Sequence, residues 1–171
     1  MGSHGATTLN IKKFNPKSIG DNRVCVFVGK RGTGKSSLVK DIMYHKRHIP
    51  VGIAMSGTEE GNGYYKDFIP DLFVYNEYKR ETIEKVIERQ KKMARTNQAN
   101  NGIFCLIDDC MYDKSMIRDK CIRSIFMNGR HWNIFFMLTM QYCMDLSPDL
   151  RANIDYVFIL RENIIQNREN K

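Results

Sequence analysis

Short apolar runs alternate along the chain with segments whose apolar residues recur at helical spacing. The apolar runs are nearly unbroken, as expected for strands buried on both faces of a sheet, and they predict strands at residues 24–28, 51–55, 72–75, 102–110, 134–140 and 156–160. The intervening segments predict helices at residues 36–47, 81–95 and 114–128, and residues 56–63 are predicted to form a loop. Strands that alternate with helices through short connections predict an α/β fold, in which helices cover both faces of a mainly parallel central sheet.

A glycine-rich turn joins the first predicted strand to the first predicted helix. Its sequence is GKRGTGKSS, which comprises Gly29, Lys30, Arg31, Gly32, Thr33, Gly34, Lys35, Ser36 and Ser37. The G-x-x-x-x-G-K-S spacing is typical of a loop whose backbone N–H groups surround nucleotide phosphates at a helix N-terminus. In this interpretation Lys35 reaches the β- and γ-phosphates, and Ser36 binds Mg²⁺. The alternative is a glycine-rich connection that binds nothing.

Two adjacent carboxylates end the apolar run at residues 102–110. Asp108 and Asp109 therefore fall at the carboxyl end of a predicted parallel strand, which is the edge where α/β sheets bind ligands. We expect Asp108 to lie near the Mg²⁺ held by Ser36, and Asp109 to orient or deprotonate the water that attacks the γ-phosphate. The alternative is that both residues only begin a turn, since aspartate is a common turn residue.

Gln141 follows the buried strand predicted at residues 134–140, so it falls at the same edge of the sheet. Its amide is expected to contact the γ-phosphate or to steer the attacking water, because the carboxyl ends of the strands collect ligand contacts. The alternative is a glutamine that only closes the strand.

Composition and charge narrow the class of protein. The 171 residues carry a formal net charge of +8, which is compatible with a polyanion partner but does not establish one. No apolar run reaches the roughly 18 residues that a membrane span needs, and no secretory signal is recognisable, so we expect an intracellular protein. The five cysteines form no CxxC pair, which favours reduced and mostly buried thiols.

The order of the motifs resembles that of a known family. The glycine-rich loop at residues 29–37, which has the spacing of a P-loop, and the Asp108–Asp109 strand are followed by GRHWNIFFMLTMQY and LRANIDYVFIL. The same order occurs in the FtsK–HerA superfamily of DNA-pumping ATPases. The likeness is strongest to the poxvirus-type genome-packaging ATPases of large DNA viruses, and it covers roughly residues 24–160. The matching positions in the second half are Thr139, Gln141, Arg151, Ala152, Asn153 and Ile154. The chain departs from the superfamily at Asp109, where the superfamily usually has glutamate.

The resemblance implies a P-loop NTPase fold of the RecA/FtsK type, which is a three-layer sandwich. It implies a motor that uses ATP and Mg²⁺ to move double-stranded DNA into a capsid. It also implies a homo-oligomeric ring that contacts DNA without reading its sequence, and contacts with capsid or membrane-associated virion proteins. The expected location is the host cell cytoplasm, at the viral assembly site, or the virion.

Arg130 precedes the strand that leads to Gln141, so it lies at the opposite edge of the sheet from its own subunit's nucleotide. A strand of about eight residues separates the two edges by about 20 Å or more, which the guanidinium cannot bridge. In a ring, Arg130 would instead reach the nucleotide of a neighbouring subunit as an arginine finger. The alternatives are that Arg130 pairs with a local carboxylate, or that Arg123 or Arg151 is the finger.

Other functions and the limits of the domain stay open at this point. A GTPase would need an Asn-Lys-x-Asp segment that reads guanine, and the sequence contains none, so ATP is preferred. A small-molecule kinase and a non-hydrolysing nucleotide-dependent assembly factor are the alternatives to a motor.

Residues 1–8 are expected to be a tag remnant, and residues 9–171 a single P-loop ATPase domain. The charged segment at residues 161–171 leaves open a further C-terminal part.

Overall fold

The computed structural model describes residues 11–96, 101–110 and 115–161. Within these residues the strands are β1 Val24–Val28, β2 Val51–Ser56, β3 Val74–Tyr75, β4 Ile103–Asp108, β5 Ile134–Met140 and β6 Tyr156–Ile159. The α-helices are α1 Lys35–His45, α2 Glu59–Asn62, α3 Arg80–Arg95, α4 Ser115–Arg118, α5 Lys120–Asn128 and α6 Pro148–Arg151. The predicted tag remnant, residue 114 of the third predicted helix and all but the first residue of the charged C-terminal segment lie outside the described residues.

The six strands run parallel in one sheet, in the order β3-β2-β4-β5-β1-β6. Every residue of β1 and β5 is buried, because helices cover both faces of the sheet. On one face, Val39 and Ile42 of α1 pack in a cluster with Phe27. On the other face, Ile83 of α3 and Ile122 of α5 lie in a second cluster. This arrangement confirms the predicted α/β fold of the P-loop NTPase type.

The strand order places three strand ends side by side. β5 lies between β4 and β1, with Ile107 opposite Leu138 and Val28 opposite Met140. Because these strands are parallel, their carboxyl ends meet at one edge of the sheet. The glycine-rich loop, the two aspartates and Gln141 therefore emerge at the same edge, as the sequence predicts.

The segment between β2 and β3 differs from its prediction. Residues 56–63, predicted to be a loop, contain α2. Residues 72–75, predicted to be a strand, begin inside the 3₁₀ helix Asp71–Phe73, and within them only Val74–Tyr75, which is β3, forms a strand and pairs with β2. The strand prediction is confirmed for Val74–Tyr75 and wrong for residues 72–73, where Leu72 is 78% exposed and the apolar run LFVY is not buried as a unit.

The helix predicted at residues 114–128 is wrong as a single element. α4 ends at Arg118 and α5 begins at Lys120, while Asp119 between them has extended backbone angles with φ −62° and ψ 132°. The Asp119 side chain accepts a hydrogen bond from the Cys121 N–H at 2.7 Å and caps α5. Apolar residues are buried on both sides of this break, so their spacing alone suggests one continuous helix.

The cysteines and the helices of the described residues can also be compared with the sequence predictions. Cys25, Cys105, Cys110 and Cys121 are buried free thiols, as predicted. Burial raises the pKa of Cys25 and of Cys105 to about 12, so both are protonated near neutral pH. Among the helices of the described ranges, none is both long and apolar enough to cross a bilayer.

Candidate nucleotide site

The glycine-rich loop turns between β1 and α1 with two residues in the left-handed region. Gly32 has a φ of 75° and Gly34 a φ of 91°, and residues other than glycine rarely adopt such angles. Gly34 is also the N-cap of α1, so the helix begins without a side-chain cap. The N–H groups and the dipole of the first helical turn favour a negative charge at this end. The loop is therefore suited to an anion such as a phosphate group.

Lys35 is buried at this loop, with 8% of its surface exposed. Its ammonium group donates hydrogen bonds to the carbonyl oxygens of Gly29 at 2.7 Å and Lys30 at 3.0 Å. The Thr33 hydroxyl also donates to the Lys30 carbonyl, at 2.7 Å. These bonds hold the positive charge of Lys35 at the loop and stabilise the turn around it.

Asp108 is the last residue of β4, and its carboxylate accepts hydrogen bonds from three hydroxyl groups. The Ser36 hydroxyl donates to Oδ2 at 3.1 Å, and the Tyr65 hydroxyl donates to the same oxygen at 2.7 Å. The Thr139 hydroxyl donates to Oδ1. Asp108 is only 3% exposed, so these charge-assisted bonds replace the water that a free carboxylate would have. The carboxylate is therefore held in one orientation beside the first turn of α1.

Asp109 lies just beyond β4 with a φ of 50°, and its backbone N–H donates to the Thr139 hydroxyl at 3.0 Å. A positive φ is uncommon outside glycine, although aspartate tolerates it better than most residues. Gln141 is half-buried directly after β5, and the carbonyl of the preceding Met140 accepts the Gly29 N–H at 3.1 Å. The structure thus brings Asp109, Gln141 and the start of the glycine-rich loop to one edge.

The oxygen atoms beside the loop fit Mg²⁺. Ser36 supplies a hydroxyl and Asp108 a carboxylate, and Mg²⁺ is usually bound by one or two such protein groups together with phosphates and water. In the ranges that the structure describes, no group of three or more His, Cys, Asp and Glu residues is placed to hold a metal ion. The Ser36–Asp108 pair therefore suits a cation that is shared with nucleotide phosphates.

Tyr65 is a site residue that the sequence interpretation missed. Its side chain is 1% exposed, and burial together with the nearby Asp108 carboxylate raises the pKa of its hydroxyl, so the hydroxyl stays protonated and donates. The surrounding sequence GYYKD has no motif that distinguishes this tyrosine from its neighbour Tyr64. Only the folding of the segment between β2 and β3 brings Tyr65 to Asp108.

Arg130 lies at the opposite edge of the sheet, as predicted. Its guanidinium pairs with Asp155 Oδ1 at 2.8 Å, just before the start of β6. Asp155 also accepts the Val24 N–H at 2.9 Å and lies 3.6 Å from Arg23. Arg130 therefore does pair with a local carboxylate, which was one of the alternatives drawn from the sequence. The Arg130 side chain remains 44% exposed.

Three arginines line a cavity of about 480 Å³ between α4, α5 and the segment that follows β5. They are Arg118, Arg123 and Arg151, and the last two are the alternative fingers of the sequence analysis. Arg123 pairs with Asp149 at 2.5 Å, and Arg151 donates to the Leu146 carbonyl at 2.8 Å. Both alternative fingers thus have local partners, as Arg130 does.

The chain is similar to proteins of two large DNA viruses. It is 44% identical over 146 residues to uncharacterized protein 015R of frog virus 3 (isolate Goorha), which covers 84% of this chain and 45% of that protein. It is 40% identical over 166 residues to uncharacterized protein 075L of invertebrate iridescent virus 6, which covers 96% of this chain and 64% of that protein. The chain therefore spans less than two thirds of the length of these relatives.

A similar fold occurs in the genome packaging NTPase B204 from Sulfolobus turreted icosahedral virus 2, solved in complex with ATP-gammaS. The TM-score is 0.62 at 21% identity, over 88% of this chain and 80% of that chain. A family model of the poxvirus A32 protein matches residues 11–170. This match confirms the resemblance drawn from the motifs, and the chain belongs to the poxvirus A32 protein family.

Proposed function

We propose that this protein is an ATP-hydrolysing motor that moves double-stranded DNA and packages a viral genome into a capsid. The observation that carries the proposal is the hydrogen bond between Ser36 of the glycine-rich loop and Asp108 at the end of β4. It joins a phosphate-binding loop to a buried carboxylate, which are the two parts that P-loop enzymes use to bind a nucleotide with Mg²⁺. Membership of the poxvirus A32 family and the fold shared with B204 support the same function.

In the proposed mechanism, the loop and the first turn of α1 bind the nucleotide phosphates. The residues of this loop are Gly29, Lys30, Arg31, Gly32, Thr33, Gly34, Lys35, Ser36 and Ser37. Backbone N–H groups donate to the phosphate oxygens, and Lys35 neutralises charge on the β- and γ-phosphates. Two carbonyl oxygens hold Lys35 at the loop, so its charge already lies where the phosphates are proposed to bind.

Ser36 and Asp108 would hold the metal in this mechanism. Bound Mg²⁺ would neutralise charge on the phosphate oxygens during transfer. Asp109 is proposed to orient or deprotonate the attacking water, and Gln141 to contact the γ-phosphate or steer that water. Both residues lie at the same edge as Ser36, which is what these roles require.

The proposed working form is a homo-oligomeric ring around duplex DNA. Contacts to the DNA phosphates need only positive charge, and the formal net charge of +8 is compatible with such contacts. Arg130, at the edge remote from its own loop, is proposed to reach the nucleotide of the next subunit. Capsid or membrane-associated virion proteins would dock such a ring at the viral assembly site or in the virion.

Steady-state phosphate release, measured with and without duplex DNA, tests this function. We expect turnover of ATP that duplex DNA accelerates. Turnover that requires a small-molecule acceptor and ignores DNA would instead identify a kinase. Nucleotide binding without turnover under either condition would identify an assembly factor.

A further inference from the structure

Tyr65 contributes a hydroxyl to the Asp108 carboxylate from a segment that carries no recognised nucleotide-binding motif. The bond to Oδ2 measures 2.7 Å and is shorter than the 3.1 Å bond from Ser36 to the same oxygen. Tyr65 is buried, so this bond is formed away from bulk water, where hydrogen bonds to a charged group are strongest. The hydroxyl is therefore a major constraint on the position of Asp108.

The backbone around Tyr65 is itself fixed by a buried carboxylate. Glu59 of α2 is 1% exposed, and both of its carboxylate oxygens accept the Tyr65 N–H at 3.1 Å. The Lys66 N–H donates to Glu59 Oε1 at 3.0 Å. The Tyr65 ring also packs against Tyr64 and Phe68, at centroid distances of 5.3 and 5.8 Å. The segment thus has a defined fold that presents the Tyr65 hydroxyl.

We propose that Tyr65 is a positioning residue that orients Asp108 for the Mg²⁺–nucleotide complex. Rotation of the carboxylate about its last side-chain bond would break the Tyr65 and Ser36 bonds at Oδ2 and the Thr139 bond at Oδ1. Partners of this kind around a metal-binding group commonly change metal affinity or activity by about 10- to 100-fold when they are removed. This inference rests on the proposed nucleotide-dependent function and extends it to a residue outside the two motifs.

The test is metal affinity in Tyr65→Phe, which keeps the ring and removes only the donor. Mn²⁺ is titrated into the protein with ADP, and free Mn²⁺ is followed by electron paramagnetic resonance. We expect Mn²⁺ affinity to fall about tenfold, while the affinity for a fluorescent ATP analogue in EDTA stays unchanged. Tyr64→Phe removes a hydroxyl from the adjacent ring and is the matched control, with Mn²⁺ affinity as in the wild type. Unchanged Mn²⁺ affinity in a folded Tyr65→Phe protein overturns the proposal.

Two further variants separate positioning from packing. 4-Aminophenylalanine at position 65 restores a donor on the same ring, and we expect it to recover most of the Mn²⁺ affinity. If the 4-aminophenylalanine variant binds Mn²⁺ no more tightly than Tyr65→Phe, the hydrogen-bond donor does not determine the Mn²⁺ affinity, and the proposal is overturned. Glu59→Gln weakens the bonds that hold the Tyr65 backbone without touching Asp108, and we expect a smaller loss of Mn²⁺ affinity. If Tyr65→Phe does not fold, unchanged affinity in Glu59→Gln overturns the proposal.

Phosphate release by the wild type distinguishes this inference from the proposed function. If the wild type binds Mn²⁺ and ADP but does not hydrolyse ATP, the proposed function fails and the metal titration still decides the role of Tyr65. If the wild type hydrolyses ATP and Tyr65→Phe matches it in Mn²⁺ affinity and turnover, only the role of Tyr65 fails.

Discussion

The Ser36 hydroxyl donates a hydrogen bond to Asp108 at 3.1 Å, although 72 positions separate the two residues in the sequence. Ser36 belongs to the first turn of α1, which follows β1, and Asp108 ends β4, two strands away in the sheet. The bond forms because parallel strands deliver their carboxyl ends to one edge. The candidate site is thus assembled by the sheet, and its individual side chains can be tested one at a time.

Lys35→Ala is expected to reduce ATP turnover by at least about 100-fold. In the proposed mechanism the ammonium group neutralises charge that develops on the phosphates during transfer, and alanine would leave that charge unbalanced. The measurement is steady-state phosphate release with Mg²⁺ and duplex DNA. Lys17→Ala, which removes an exposed lysine outside the site, is the control and should retain wild-type turnover. Wild-type turnover in Lys35→Ala would contradict the assignment of the phosphate-binding loop.

Asp109→Asn is expected to bind ATP and Mg²⁺ normally but to hydrolyse ATP about 100-fold more slowly. The amide cannot accept the proton of the attacking water, whereas Asp108 and Ser36, the proposed metal ligands, are unchanged. Equilibrium nucleotide binding and single-turnover hydrolysis are measured on the same protein. Asp108→Asn is the comparison, and it should lose metal-dependent binding as well, because it removes the negative charge and one acceptor oxygen of the group that three hydroxyls contact. Parallel losses of binding and hydrolysis in Asp109→Asn would make Asp109 a metal-binding residue instead.

Duplex DNA is expected to bind without sequence preference and to dissociate as salt rises. Each phosphate contact releases a counterion, so the logarithm of the affinity should fall linearly with the logarithm of salt concentration. Fluorescence anisotropy with two unrelated duplexes of equal length measures both properties. Charge reversal at Lys92 and Arg95 of α3, compared with reversal at Arg118 of α4 and Lys120 of α5, tests which of these two parts of the surface contributes contacts. An affinity independent of salt would exclude DNA phosphates as the binding partner.

Arg130→Ala is expected to bind ATP normally and to lose DNA-stimulated turnover. A finger supplied by the neighbouring subunit stabilises the transferred phosphoryl group and is worth about 10³- to 10⁵-fold in rate. Mixing Arg130→Ala with Lys35→Ala should restore part of the rate, because some interfaces then combine an intact loop with an intact arginine. If the two proteins co-assemble and the mixture stays inactive, Arg130 is not the finger.

Arg23→Ala is the matched control for Arg130→Ala. Both arginines approach Asp155, at 3.6 Å for Arg23 and 2.8 Å for Arg130. Each variant therefore removes one positive charge from the same carboxylate, but only Arg130 is proposed to reach a neighbour. Equal losses of turnover in the two variants would attribute the effect to Asp155 rather than to a finger.

Cys25 and Cys105 are expected to resist alkylation in the native protein. Burial raises the pKa of each thiol to about 12, so the reactive thiolate is scarce at pH 8, and the sulfur is also inaccessible. Iodoacetamide labelling followed by peptide mass spectrometry should modify these two sites only as the protein unfolds. A bound nucleotide stabilises the folded state and should slow the labelling further. Rapid labelling of either site in the native protein would contradict the burial.

The sequence predicts the fully buried strands and the glycine-rich loop well because both depend on local patterns. The unbroken apolar runs at β1 and β5 require burial on two faces, and the spacing of Gly29, Lys35 and Ser36 requires a turn into a helix. The sequence predicts poorly that the helix is divided at Asp119 and how the chain folds around α2. In both places a side-chain carboxylate binds backbone N–H groups, and apolar spacing does not report such bonds.

The sequence by itself determined the α/β class, the glycine-rich turn between β1 and α1 and the position of Asp108 at a strand end, since each follows from residue types at fixed spacing. Only the tertiary structure decided that Tyr65 and Thr139 complete the hydrogen bonds of Asp108, and that Arg130 pairs with Asp155. These contacts join residues that are distant in the chain, and their partners are chosen by strand order and by the course of connecting segments. A buried carboxylate requires donors, but it does not specify in the sequence which residues supply them.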